Sequence, residues 1–141
     1  MANIHQFDQN VRTRFGKYGT DIGDNDLIST EYVDMENYDL VVGVAIASDV
    51  ATGSTVTLTM YQATGTAGEG SAAVSSSVAT STASADELIL VAQVRGEDLS
   101  TTTAYHYVGF IVDSNDSTNT TKAAGILHQM RARYKQATMP A

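Results

Sequence analysis

The sequence predicts an all-β protein: an antiparallel β-sandwich or jelly roll with an extended N-terminal arm and a C-terminal tail. Residues 88–94 and 105–112 are rich in β-branched and aromatic side chains that recur with the period of a strand. Both segments are apolar on both faces, so we expect them to lie inside a sheet or sandwich. The loop between them, residues 95–104, is polar and too short for a helix of its own. It predicts either an antiparallel return or a bridge between two sheets.

The chain divides into an arm, a sandwich domain and a tail. Residues 1–26 are polar and rich in Gly and Asp, and apolar residues recur among them at helix-like intervals, namely Ile4, Phe7, Val11 and Phe15. An isolated helix of this length is marginal in water. We therefore expect an arm that orders only against a partner or against the body; the alternative is a disordered terminus with no role. The β-sandwich domain covers residues 27–134, and residues 135–141 form the tail.

The first half of the domain contains three predicted strands. Residues 27–36 favour an edge strand, and residues 40–47 are apolar on both faces, which is typical of a central strand. Gly43 within this run indicates either a bulge or the close approach of a neighbouring backbone. Residues 55–62 alternate cleanly, with three apolar side chains predicted to point inwards: Val56, Leu58 and Met60.

The second half begins with a segment of low complexity. Residues 63–85 consist largely of Gly, Ala, Ser and Thr, which predicts a long flexible loop, with or without a short strand over 74–78. A capping-box pattern at Ser84 and Glu87 favours a helix over 85–94, but the β-branched residues there favour a strand, which we predict. Residues 122–134 fit a strand or a helix, and their alternation favours the strand. Turn signals about every ten residues, without βαβ spacing, complete the pattern of a sandwich.

Charge is distributed unevenly along the 141 residues, whose net charge is −8. Residues 1–17 carry three cations against one acid, residues 18–121 carry fifteen acids against one cation, and residues 122–141 carry four cations and no acid. An acidic body argues against binding to nucleic acid or to an anionic membrane. The basic ends are either simply solvated or suited to an acidic neighbour, such as the body of another copy. No signal peptide or membrane span is predicted, so we expect synthesis in the cytoplasm.

No pattern in the sequence indicates catalysis, a cofactor or a metal ion, and we expect a protein that is not an enzyme. His5, His106 and His128 lack the spacing of metal ligands, and neither a nucleophile elbow nor a phosphate-binding glycine motif is present. Residues 21–26 and 113–119 are rich in Asp and Asn, as calcium loops are, but the spacing is not that of an EF-hand. We interpret both segments as turns.

Tyrosine is the remaining candidate for binding. The chain has seven tyrosines and no tryptophan. Tyrosine combines a large contact area with a polar tip, which suits hydrated or subunit interfaces. Half-buried positions in an ordinary sheet would account for these residues equally well.

The order of several segments resembles one family. These segments are YDLVVGVAIAS, GSTVTLTMYQAT, LILVAQVRGEDL, YHYVGFIV and the terminal RARYKQATMP. Over about residues 35–140, the chain resembles the small β-sandwich structural proteins of tailed-bacteriophage virions, especially capsid decoration (cement) proteins. The most specific pieces are Val94 to Leu99, Tyr107 to Gly109, and Arg133-Tyr134 before Pro140.

The resemblance implies a protein without chemistry that binds the outer surface of the phage head and stabilises the expanded shell. Its partners would be the major capsid protein and itself, as a homotrimer, and its location would be the capsid surface of the virion. No nucleic acid, membrane or cofactor would be involved. The contact residues would lie in the arm and near the tail: Phe7, Arg12, Arg14, Phe15, Arg131, Arg133 and Tyr134.

Two other functions fit the same pattern. A phage tail or head–tail connector protein would be distinguished by its copy number, which is a dozen or fewer where a cement protein has hundreds. A carbohydrate-binding module would use exposed tyrosines and an acidic loop, although the absence of tryptophan and of an export signal weighs against it.

Overall fold

A computed structural model describes residues 11–22, 27–28, 31–82, 87–116 and 121–132. Over these ranges the chain forms nine strands and one short 3-10 turn, η1 (Gly96–Asp98). In chain order, the strands are β1 (Val11–Asp21), β2 (Leu27–Ile28), β3 (Val33–Asp34), β4 (Tyr38–Ser48), β5 (Thr55–Ala63), β6 (Ala72–Thr82), β7 (Leu88–Arg95), β8 (Tyr107–Ser114) and β9 (Lys122–Ala132). Within the described part of the chain, no helix is long and apolar enough to cross a membrane.

The strands form two antiparallel sheets, which confirms the predicted all-β sandwich. The first sheet has the order β1-β9-β4-β7, and the second has the order β2-β8-β5-β6, with β3 also pairing with β8. Because β7 lies in the first sheet and β8 in the second, the loop over 95–104 bridges the two sheets and is not a hairpin return. The side chain of Asp98 closes the start of this loop by accepting a hydrogen bond from the backbone N–H of Arg95 at 2.8 Å.

The core lies between the sheets and follows from the alternation of the strands. The predicted inward set of β5, Val56, Leu58 and Met60, is fully buried. The second sheet adds Phe110 and its neighbours on β8, while the first sheet contributes smaller residues such as Ala45 and Ala47. Large side chains of one sheet thus meet small ones of the other, as dense packing requires.

Two glycines make room for the largest of these side chains. A Cβ built on Gly43 would lie 2.6 Å from Met60 Sδ, and one built on Gly125 would lie 2.8 Å from Phe110 Cε2. The close approach predicted at Gly43 is therefore made by a side chain of the opposite sheet and not by a neighbouring backbone.

The predicted loop over residues 63–85 is wrong in its greater part. Residues 64–71 form a loop closed by a hydrogen bond. The backbone N–H of Thr64 donates to the backbone carbonyl of Glu69 at 2.9 Å. Residues 72–82 form the long edge strand β6, paired with β5. Small residues suffice there because only Val74 and Ser77 of the strand are buried. Its pairing with β5 places Thr57 opposite Thr80, with their hydroxyl oxygens 3.4 Å apart.

Two other segments differ from expectation in detail, and a third agrees with it. Residues 27–36 contain two very short strands, β2 and β3, both paired with β8. The helix-like spacing around Val11 and Phe15 does not produce a helix: residues 11–21 form β1, which pairs with β9. Pairing with a preformed sheet satisfies the backbone where a short isolated helix would be marginal. Residues 85–86 are outside the described ranges, and 88–95 form the predicted strand, not a helix.

Candidate protein-binding face

The outer side of the first sheet is unusually apolar. Side chains that alternate with the buried ones on β9, β4 and β7 stand in four cross-strand rows on this side. We call these twelve residues the aliphatic face. From one end to the other, the rows are Ala124-Ile46-Ile89, Ile126-Val44-Val91, His128-Val42-Gln93 and Met130-Leu40-Arg95.

The aliphatic face is open to solvent along its β7 side. Ile89 is 71 % exposed, Val91 57 % and Ile46 54 %. The remaining members on β4 and β9 are half-buried by their neighbours within the sheet. Sheet positions of this kind normally alternate with polar residues when they face water, so nine apolar residues among twelve mark a surface suited to a protein partner.

This exposure corrects the prediction for residues 88–94. Apolar residues on both faces predicted a strand inside a sheet, but β7 is an edge strand that pairs with β4 alone in its sheet. Its inner residues, Leu90, Ala92 and Val94, are buried in the core, whereas Ile89 and Val91 face outwards. The strand that is apolar on both sides thus has one face packed in the core and one face open to solvent.

The face also differs from the rest of the chain in charge. None of its twelve residues is acidic, although the chain carries sixteen acids. Its charged member, Arg95, lies at the rim, 3.5 Å from the carboxylate of the exposed Glu97. Nδ1 of His128 lies 3.1 Å from Oγ1 of Thr13 on β1. A partner can thus approach the aliphatic face without having to desolvate a carboxylate.

The size of the face can be estimated from strand geometry. Four rows about 6.6 Å apart on three strands about 4.8 Å apart cover roughly 400 Å² in projection. A standard interface buries about 800 Å² on each partner. The aliphatic face therefore supplies about half of such an interface, and neighbouring parts of the chain must supply the rest.

The residues predicted to bind a partner fall partly on the border of this face. Strand β1, which borders β9, contains Arg12, Arg14 and Phe15; β9 contains Arg131, and the structure describes the backbone at all four positions. The register places Phe15 opposite Ile126, in the second row of the aliphatic face. Arg12 and Arg14 are opposite Gln129 and Leu127, which belong to the buried side of β9. Phe7, Arg133 and Tyr134 lie outside the described residues.

The Asp- and Asn-rich segment after β8 is used in turn structure. Asn115 Oδ1 accepts a hydrogen bond from the backbone N–H of Thr55 at 2.7 Å. The hydroxyl of Thr121 donates to Asp116 Oδ2 at 2.8 Å, and both residues are buried. Within the described ranges, no three His, Asp or Glu side chains are grouped as metal ligands. Residues 23–26 of the other oxygen-rich segment lie outside these ranges.

Comparison with known proteins shows a shared fold. No family model matches the sequence, and no curated protein matches it. Among solved structures, the VP2 subviral particle of infectious bursal disease virus aligns with a TM-score of 0.55 and 14 % identity, over 90 % of this chain and 33 % of that chain. The structure of the Gt strain of that virus aligns with a TM-score of 0.51 and 12 % identity, over 92 % of this chain and 35 % of that chain.

These alignments define what is shared. The chain spans about a third of the length of the viral proteins, and it has a β-sandwich fold that a viral capsid protein also contains. A xylan-binding module aligns over 95 % of both chains, but with a TM-score of 0.40 and 12 % identity. That similarity is too weak to argue for a common fold.

Proposed function

We propose that this protein is a virion structural protein, and specifically a decoration (cement) protein that binds the outer surface of a tailed-phage head. The observation that carries the proposal is the aliphatic face, an open and acid-free surface on a chain of net charge −8. A sandwich fold also found in a viral capsid protein supports it. The segment order that resembles cement proteins supports the finer assignment.

The aliphatic face would dock on the major capsid protein. If the whole projected area of roughly 400 Å² were exposed and apolar, its burial would yield at most about 10 kcal/mol at ~25 cal/mol per Å². Association of two proteins costs about 4–15 kcal/mol in lost freedom of motion. A single copy would thus bind only marginally through this face, and stable decoration requires further contacts or several linked copies.

Linked copies would provide this stability. In a homotrimer, three marginal sites act together, and the second and third sites bind at a high effective concentration. The N-terminal residues Phe7, Arg12, Arg14 and Phe15, together with Arg131, Arg133 and Tyr134, would extend the contact beyond the aliphatic face. Basic residues at these positions suit acidic surfaces of neighbouring subunits.

The test is co-sedimentation of the purified protein with expanded, empty shells assembled from the major capsid protein of the same genome. We expect saturable binding of hundreds of copies per shell. The double variant Ile89→Lys/Val91→Lys should abolish binding, because two ammonium groups would have to be desolvated at the centre of contact. Val78→Lys is the matched control: Val78 is 48 % exposed on β6 of the other sheet, so binding should persist.

A further inference from the structure

A second site lies at the end of the sandwich where β4 begins and β9 ends. A cleft of ≈ 510 Å³ opens there, between residues of both sheets. Its walls include Glu31, Tyr32, Asp34, Tyr38, Tyr107 and Gln129. The register fixes its position: Asp34 pairs with Tyr107 in the second sheet, and Tyr38 pairs with Ala132 in the first.

One wall of the cleft holds an acceptor without a donor. The side chain of Gln129 is held in place because its Nε2 donates to the backbone carbonyl of Asp34 at 2.7 Å. The residue is only 3 % exposed, and its Oε1 accepts no hydrogen bond from any residue that the structure describes. Buried acceptors are nearly always paired in native proteins, so the wall that Gln129 lines retains the capacity for one more hydrogen bond.

The remaining walls favour a cationic ligand. Glu31 and Asp34 carry negative charge, and no lysine or arginine is among the described residues that line the cleft. Tyr38 and Tyr107 offer half-buried ring surfaces, against which a guanidinium group binds well. The ring of Tyr32 is buried beneath the loop at Gly68. Burial raises the pKa of Tyr32, and this effect is larger than the lowering caused by the hydrogen bond with Ser71. The hydroxyl of Tyr32 is therefore neutral.

The chain itself carries a ligand of this chemistry. β9 ends at Ala132, opposite Tyr38 at the edge of the cleft, and the next residues include Arg133 and Lys135. No Gly, Pro, Asn or Asp occurs over 131–137, although these residues are the most frequent in tight reversals of the chain. Nine further residues follow Ala132, and an extended segment of this length reaches about 30 Å, far enough to contact another copy.

We propose that this cleft binds the basic C-terminal segment of a second copy of the chain, with the guanidinium of Arg133 between Tyr38 and Tyr107 and beside the carboxylate of Glu31. The Oε1 atom of Gln129 is buried in the free chain, so a small shift of this side chain on binding would open it as an acceptor for the guanidinium. The acidic body of one copy thus receives the basic end of the next. This contact uses Arg133, which the proposed function also places among the contact residues, but it involves neither the aliphatic face nor a shell. Self-association measured without shells therefore tests it independently of shell binding through the aliphatic face.

The experiment is sedimentation velocity of the full chain over a range of concentrations and salt. Wild type should self-associate, and added NaCl should weaken the association. Glu31→Lys or Arg133→Glu should each weaken it by about tenfold or more, as expected for a lost charge-assisted contact. Asp113→Lys and Lys122→Glu are matched controls, because both residues are exposed and lie outside the cleft. Each control should associate as wild type does.

A mixture of the two single variants shows whether the bound segment comes from another copy of the chain. If one copy binds the segment of another, the lysine introduced by Glu31→Lys can pair with the glutamate introduced by Arg133→Glu, and the mixture should associate more tightly than either variant alone. Circular dichroism of each variant establishes that it is folded. A monomeric wild type at all concentrations would overturn the proposal. So would association that survives Glu31→Lys but is lost in Ile89→Lys, or a mixture no tighter than its components.

Discussion

Replacement of Gly125 by alanine tests how the two sheets fit together. Gly125 lies on the inner side of β9, and a Cβ there would meet three ring atoms of Phe110, with Cε2 at 2.8 Å and Cε1 at 3.2 Å. Phe110 is fully buried, and its rigid ring has little room to move. Overpacking of a dense core costs about 1–3 kcal/mol. Replacement of a glycine in a strand interior stabilises the fold by about 0.5–1 kcal/mol. The net decrease in the free energy of unfolding is then about 1–2 kcal/mol.

Gly43→Ala is the matched control on the neighbouring strand β4. The added methyl group would also be too close to a core side chain, at 2.6 Å from Met60 Sδ. Methionine is flexible and adapts to irregular space, so the thioether can shift. The strain and the gain from removing glycine should then nearly cancel, with a net change below about 0.5 kcal/mol.

Urea unfolding followed by circular dichroism measures both changes. With a slope of about 2 kcal/mol per M, Gly125→Ala should lower the midpoint by about 0.5–1 M, while Gly43→Ala should leave it almost unchanged. In a Phe110→Leu background, Gly125→Ala should cost about 1 kcal/mol less, since the clash is relieved. A Gly125→Ala variant as stable as wild type, or an equal cost in both backgrounds, would refute the packing described between β9 and β8.

Three further results are expected. The free energy of unfolding should fall as the pH rises above 10.0, because the pKa of Tyr32 is raised on folding and the folded state keeps a proton that the unfolded state loses; Tyr32→Phe should make this fall shallower in urea melts across pH. Thr121→Ala should cost about 1–3 kcal/mol in the same melts, since a buried hydrogen bond to Asp116 is lost. Ile89→Lys alone should change stability by less than about 0.5 kcal/mol, because the residue is exposed.

Much of the fold could be predicted because several strands have a clear period of two. Residues 55–62 alternate so regularly that the inward set, Val56, Leu58 and Met60, follows directly from the sequence. Residues 72–82 could not be predicted in the same way. Only Val74 and Ser77 of β6 are buried, and pairing with β5 stabilises a strand whose own side chains carry almost no apolar pattern.

The candidate binding face was harder to predict for a different reason. A strand that is apolar on both sides has the same sequence whether its second face meets another layer of the protein or a partner. Residues 88–94 gave no indication of which applies, and only the exposure of Ile89 and Val91 in the folded sheet shows that their face is open. The cleft at the end of the sandwich depends on Gln129 and Tyr107, which are far apart in sequence and meet only through strand pairing across both sheets.

The most direct test of the proposed function compares three proteins in one binding experiment. Wild type, Ile89→Lys/Val91→Lys and the control Val78→Lys would be titrated against expanded shells, and the copies bound per shell would be counted. We predict hundreds of copies for wild type and for the control, and almost none for the double variant. Absence of wild-type binding, or equal binding by all three proteins, would contradict docking through the aliphatic face.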